Sequence, residues 1–142
     1  MKKRIFIALL IVSTLIFSLL TPALAIDVYN SEYISDAYCY LNKGSVSGQI
    51  TVYYSVRSTK SALTRIGASQ IAIYKADGSF VKSVYGTTTN GLIQSSGRAA
   101  TGNYTFDCAP NTSYYAIVYF TAKDVNGFDN TSRTTNTVTS PA

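Results

Sequence analysis

Cys39 and Cys108 are the two cysteines of this chain, and it contains no histidine. Two thiols without an imidazole cannot close a tetrahedral zinc site. Two chemistries therefore stay open for them, a disulfide or a pair of buried thiols, and an even count in an oxidising compartment favours the Cys39–Cys108 bridge. The missing imidazole also removes most catalytic triads. Glu32 is the only glutamate. Asp77, Asp124 and Asp129 fall in turn-like segments, where aspartate serves the local backbone, and Asp36 and Asp107 fall on outward positions of alternating runs. Serine and threonine are abundant, but a nucleophile needs a base. A lysine-based dyad is the one arrangement left, so a hydrolase is the least favoured reading.

Two further groups have binding chemistry. Asp124-Val-Asn126-Gly-Phe-Asp129-Asn130 gathers about three oxygen-bearing side chains around a turn, whereas calcium takes six to eight oxygens. A tight turn accounts for the same residues, and no cofactor or metal is expected. The twelve tyrosines can stack on sugar rings or form the apolar centre of a protein interface. Asn103, Asn111 and Asn130 each begin an N-x-Ser/Thr pattern, which chance explains in a chain so rich in these residues.

The compartment is read from the start of the chain. Met1-Lys2-Lys3-Arg4 is basic, Ile5–Leu20 is an apolar run of 16 residues, and Thr21-Pro22 with Ala23-Leu24-Ala25 supplies a breaker and small residues. That order describes a secretory signal peptide, residues 1–25, removed on export; the run is short for a bilayer span of ~20 residues. No cysteine follows Ala25 to carry a lipid. The expected product is a secreted, soluble monomer with a flexible start at 26–32, one folded domain at 33–142, and no membrane association after cleavage. Without the leader it keeps nine basic and seven acidic residues, a net charge of +2. The basic balance of the full chain belongs largely to the leader, and nucleic acid is not an expected partner.

The elements that must position these residues are strands. Ile50, Val52, Tyr54 and Val56 alternate with polar residues, as do Tyr114, Ala116, Val118, Phe120 and Ala122. Ala37, Cys39 and Leu41 share one face, with Tyr38 and Tyr40 opposite; Tyr104, Phe106 and Cys108 share another. Both cysteines thus point inward, and a bridge between them is expected at corresponding ends of their strands. Asn42-Lys43-Gly44, Asp77-Gly78 and Asn126-Gly127 punctuate the runs, the last two as hairpin signals. Ser58–Ala68 reads as a loop or a helical turn. Residues 86–98 read as a long loop or a short edge strand around Leu92-Ile93. Helical periodicity is absent beyond residue 26, which predicts an all-β antiparallel sandwich of about seven strands.

Cys108-Ala-Pro110-Asn-Thr112-Ser-Tyr114 resembles the corner motif of the fibronectin type III family, Leu-x-Pro-x-Thr-x-Tyr, with cysteine replacing leucine. Gly48–Tyr54 is similar to that family's second strand, with Tyr54 where tryptophan is common, and Ile71–Gly78 to its third strand and hairpin. The chain also resembles short exported bacterial proteins of unassigned function. The resemblance implies an immunoglobulin-like or fibronectin-like sandwich in which Pro110 and Tyr114 form a structural corner, the Tyr114 hydroxyl bonding to nearby main chain. It implies further that Tyr115, Ile117 and Tyr119 face outward beside Tyr74. Tyr38, Tyr40 and Tyr53 make a rival patch on the opposite sheet. The expected function is binding or adhesion to an extracellular protein or glycan, through the tyrosine face or the 86–98 loop. A structural subunit pairing through its first strand or Thr-rich terminal strand is the alternative.

Overall fold

The structure is a computed structural model that describes residues 31–142. The expected leader and residues 26–30 lie outside the described residues. Among those described there is no helix, and the strands run β1 Ile34–Lys43, β2 Gln49–Ser58, β3 Arg65–Lys75, β4 Phe80–Tyr85, β5 Ile93–Gln94, β6 Ala99–Asp107, β7 Ser113–Lys123, β8 Phe128–Thr134 and β9 Val138–Thr139. Seven are long, and β5 and β9 are two-residue additions.

All pairings are antiparallel. One sheet has the order β1-β2-β6 and the other β4-β3-β7-β8, with β5 on β3 and β9 on β7. Period-2 alternation sends one face of each central strand into a shared core. Ile50, Val52 and Val56 of β2 meet Ile66, Ile71 and Ile73 of β3 and Val118 and Phe120 of β7 there, all fully buried. Each such side chain contributes about 1.5–3 kcal/mol of burial. Tyr54 lies tilted against Phe120 at 6.3 Å, and its hydroxyl donates to the Leu92 carbonyl at 3.3 Å.

The structure departs from the sequence expectation at several joints. Strand β3 begins at Arg65, inside the segment expected to be a loop or helical turn. A bulge between Ala68 and Gln70 shifts the inward set from Ile66 and Ala68 to Ile71 and Ile73, which breaks the alternation that would have revealed the first part of the strand. The Asp77-Gly78 hairpin has three loop residues, not two. Gly78 N–H donates to the Lys75 carbonyl, Lys75 N–H donates to that of Ser79, both at 2.9 Å, and Gly78 stands at φ 88°, a type I turn closed by a left-handed glycine.

Residues 86–98 are tied down. Leu92 and Ile93 are buried, β5 pairs with β3 at Ile66 and Gly67, and a side chain at Gly67 would collide with the Leu92 carbonyl. The Asn90 carboxamide accepts from Thr87 and Leu92 N–H and donates to the Tyr85 carbonyl. Ser31 and Glu32, expected in a flexible start, are held as well. Ser31 Oγ and Tyr33 N–H both donate to Asp129 at 2.6 Å, and Lys60 pairs with Glu32 at 2.7 Å.

Candidate functional site

Strand register places the expected tyrosines side by side on the outer face of the larger sheet. Tyr74 lies directly opposite Tyr115 on β7 and Phe80 on β4. Its ring stacks on Tyr115 at 5.3 Å and 13° and meets Phe80 edge-on at 5.6 Å. The next row is Ser83, Ala72, Ile117 and Thr134, and the one after is Tyr85, Gln70, Tyr119 and Ser132. Phe80 is 61 % exposed, Tyr85 68 % and Tyr119 37 %, while Tyr74, Tyr115 and Ile117 are half-buried among them. Four of these residues were expected from sequence. Phe80 and Tyr85 were not, although counting through the hairpin with the correct loop length puts Phe80 opposite Tyr74.

The smaller sheet carries the rival patch on its own outer face. Tyr40 and Tyr53 are a cross-strand pair, stacked at 5.1 Å and 10°. With Tyr38, Tyr54, Thr101, Gly102 and Asn103 they line a cleft of about 270 Å³. Its neighbours in register are hydroxyl and amide residues: Ser55 beside Tyr38, Thr51 beside Asn42, and Asn103 beside Tyr53.

The cysteines do not meet. Both are free thiols, which corrects the expected Cys39–Cys108 bridge. Cys39 is level with Tyr54 of β2. Cys108 is level with Gly48, whose carbonyl accepts its N–H at 2.7 Å. That separates them by two strands and six residues of register, roughly 20 Å along the sheet at ~3.3 Å per residue. A disulfide needs Cα atoms within about 7 Å. Both thiols do pack against the core, as alternation indicates. Burial pushes Cys39 up to about 11, and burial raises Cys108 also. Thiols so shifted are protonated and unreactive near neutrality.

At the corner, Ala109 N–H donates to the Tyr114 hydroxyl at 3.1 Å. Tyr114 is buried with Phe106 edge-on at 5.9 Å. Pro110 precedes Asn111, which takes a left-handed φ of 53°.

Four aspartates are engaged in structure. Asp124 accepts from Asn126 and Gly127 N–H and from the Tyr33 hydroxyl. Asp129 anchors Ser31 and Tyr33. Desolvation raises both carboxyls, but these hydrogen bonds outweigh it and leave each below the ordinary value. Asp77 caps its own turn through Ser79, and Asp107 accepts from Gln49. Among the described residues no group of three or more His, Cys, Asp or Glu could hold a metal. The Lys82 ammonium lies over the rings of Tyr104 and Phe106 at 5.8 and 5.5 Å, and Lys60 serves Glu32.

One side chain that sequence reasoning passed over guards a sheet edge. The Asn136 carboxamide accepts from Leu41 N–H at 2.8 Å and donates to the Leu41 carbonyl at 3.1 Å, and so pairs with the outer edge of β1 as a strand residue would. Isolated in a Thr-rich tail, it gives no pattern to find.

No protein-family model matches this chain, and no curated protein does. Among solved structures it is similar to the crystal structure of a Bordetella pertussis protein described as ApaA, at 14 % identity and a TM-score of 0.41, over 78 % of this chain and 96 % of that one.

Proposed function

We propose that this chain is an exported, non-catalytic domain of the fibronectin type III-like kind that binds an extracellular protein through the outer face of β4-β3-β7-β8. Two features support the sandwich type: the order β1-β2-β6 opposite β4-β3-β7-β8, and the corner tyrosine bonded to main chain upstream. The observation that carries the binding reading is contiguity. Phe80, Tyr74, Tyr115, Ile117, Tyr119 and Tyr85 form one uncharged aromatic surface across three neighbouring strands. Scattered exposed aromatics need no explanation, whereas a contiguous patch does.

The composition of the face favours a protein over a glycan. Phe80, Ile117 and Ala72 offer no hydrogen bonds, and the Tyr74 ring is already engaged by Tyr115 on a face and by Phe80. Such a surface suits the apolar centre of an interface with tyrosine hydroxyls around it. Assembly through the first strand is less favoured, since Asn136 occupies its edge at Leu41.

The test compares the mature domain with its Tyr115→Ser/Tyr119→Ser variant as bait against extracellular fractions, with circular dichroism to verify folding. The expected result is at least a tenfold loss of a saturable protein partner. Undiminished capture of that partner by the folded variant sinks the proposal.

A further inference from the structure

The two outer faces of this molecule differ in chemistry. Around Tyr38, Tyr40 and Tyr53 on β1 and β2 there is no aliphatic side chain in the register rows, only tyrosine, serine, threonine and asparagine. The cleft between the row of Tyr38 and Thr101 and the row of Tyr40, Tyr53 and Asn103 contains no charged group in its lining. At about 270 Å³ it is close to the lower end of small-ligand sites, roughly 300 Å³. That suits one or two sugar rings better than a peptide.

We infer that this cleft is a binding site for a neutral saccharide unit, separate from the aromatic face of the larger sheet. A pyranose presents C–H groups on its faces and hydroxyls at its rim. The first need exposed aromatic surface, and the second need uncommitted donors and acceptors at the edge of that surface. Both are present. Tyr38 is 52 % and Tyr40 45 % exposed, and Tyr40 stacks on the half-buried Tyr53. Among the described residues, the hydroxyls of Tyr38, Tyr40, Tyr53 and Thr101 and the Asn103 carboxamide have no side-chain partner. Their neighbours Thr51 and Thr105, by contrast, bond each other at 2.8 Å. An anionic glycan would find no cation in the lining, and the Arg57 row, the nearest with a basic residue, pairs with Asp36 in register. A neutral ligand matches a neutral site.

The experiment applies the mature domain to printed glycans ending in neutral hexoses or N-acetylhexosamines, with sialylated and sulfated glycans as a second arm. The soluble form of any neutral hit is then titrated by NMR. Expected are binding in the neutral arm and shifts centred on Tyr38, Tyr40, Tyr53 and Asn103. Affinity should fall at least tenfold in Tyr38→Ala and Asn103→Ala, both at exposed positions, and stay unchanged in Tyr115→Ser/Tyr119→Ser. Absence of binding, binding in the anionic arm alone, or neutral binding that tracks Tyr115 and Tyr119 instead of Tyr38 overturns the inference. Because the two faces carry different substitutions, failure here is separable from failure of the protein-binding proposal.

Discussion

Each thiol in this protein is partly buried against the core, and its chemistry follows from that. Cys39 packs beside Ala37 and Leu41, with its sulfur 3.4 Å from the Arg133 carbonyl, and burial holds its pKa at about 11. Unreduced, denatured protein should therefore accept two alkyl groups, read by mass, and a result of none would restore the bridge. In the native state both thiols should alkylate far more slowly at pH 7 than a free cysteine. The linkage has a definite sign. Below the ordinary thiol value near 9.0 both folded and unfolded chains hold the proton, so Cys39 is indifferent to pH. Above it the unfolded chain releases the proton first, and stability falls with rising pH until about 11. Cys39→Ala should flatten that alkaline limb in urea titrations.

Strands bring a different liability, the unpaired edge. The outer edge of β1 is answered at Leu41 by one carboxamide that supplies both an acceptor and a donor, and most of the outer surface of β8 is polar, with Asn130, Ser132 and Thr134 beyond Phe128. Edge N–H and C=O groups left bare are templates for another chain. Asn136→Ala should destabilise by about 1–2 kcal/mol, the worth of hydrogen bonds lost at a partly buried site. It should also shift sedimentation at high concentration toward larger species. A variant that stays monomeric and equally stable would show that Asn136 does not guard this edge. The hairpins behave as elements too: Asp77 and Asp124 each accept from N–H groups of their own turns, so these aspartates organise local backbone.

At the scale of the molecule, one core joins both sheets, and Phe120 sits in it fully buried, in contact with Tyr54 across the layers. Phe120→Ala should cost about 3–5 kcal/mol in urea unfolding, with loss of the two sheets together; a loss below 1 kcal/mol would mean the layers do not share a core. The sequence by itself determined that residues 31–142 are all-β and which residues of β2 and β7 face inward; the outward placement of Tyr115, Ile117 and Tyr119 beside Tyr74 came from the family resemblance. Alternation decides face because the side-chain period of a strand is two, and that is a local property. Where a bulge breaks the period, as at Ala68–Gln70, the first part of β3, before the bulge, was hidden while the part after it was read. Tertiary structure alone decided what lies beside what: that Cys39 and Cys108 are far apart on one sheet, that Phe80 and Tyr85 extend the aromatic face, that Tyr40 stacks on Tyr53 over a cleft, and that Asn136 reaches Leu41. These are matters of register and long-range pairing, set by turn lengths, bulges and the stacking of two sheets, none of which a period-two pattern encodes.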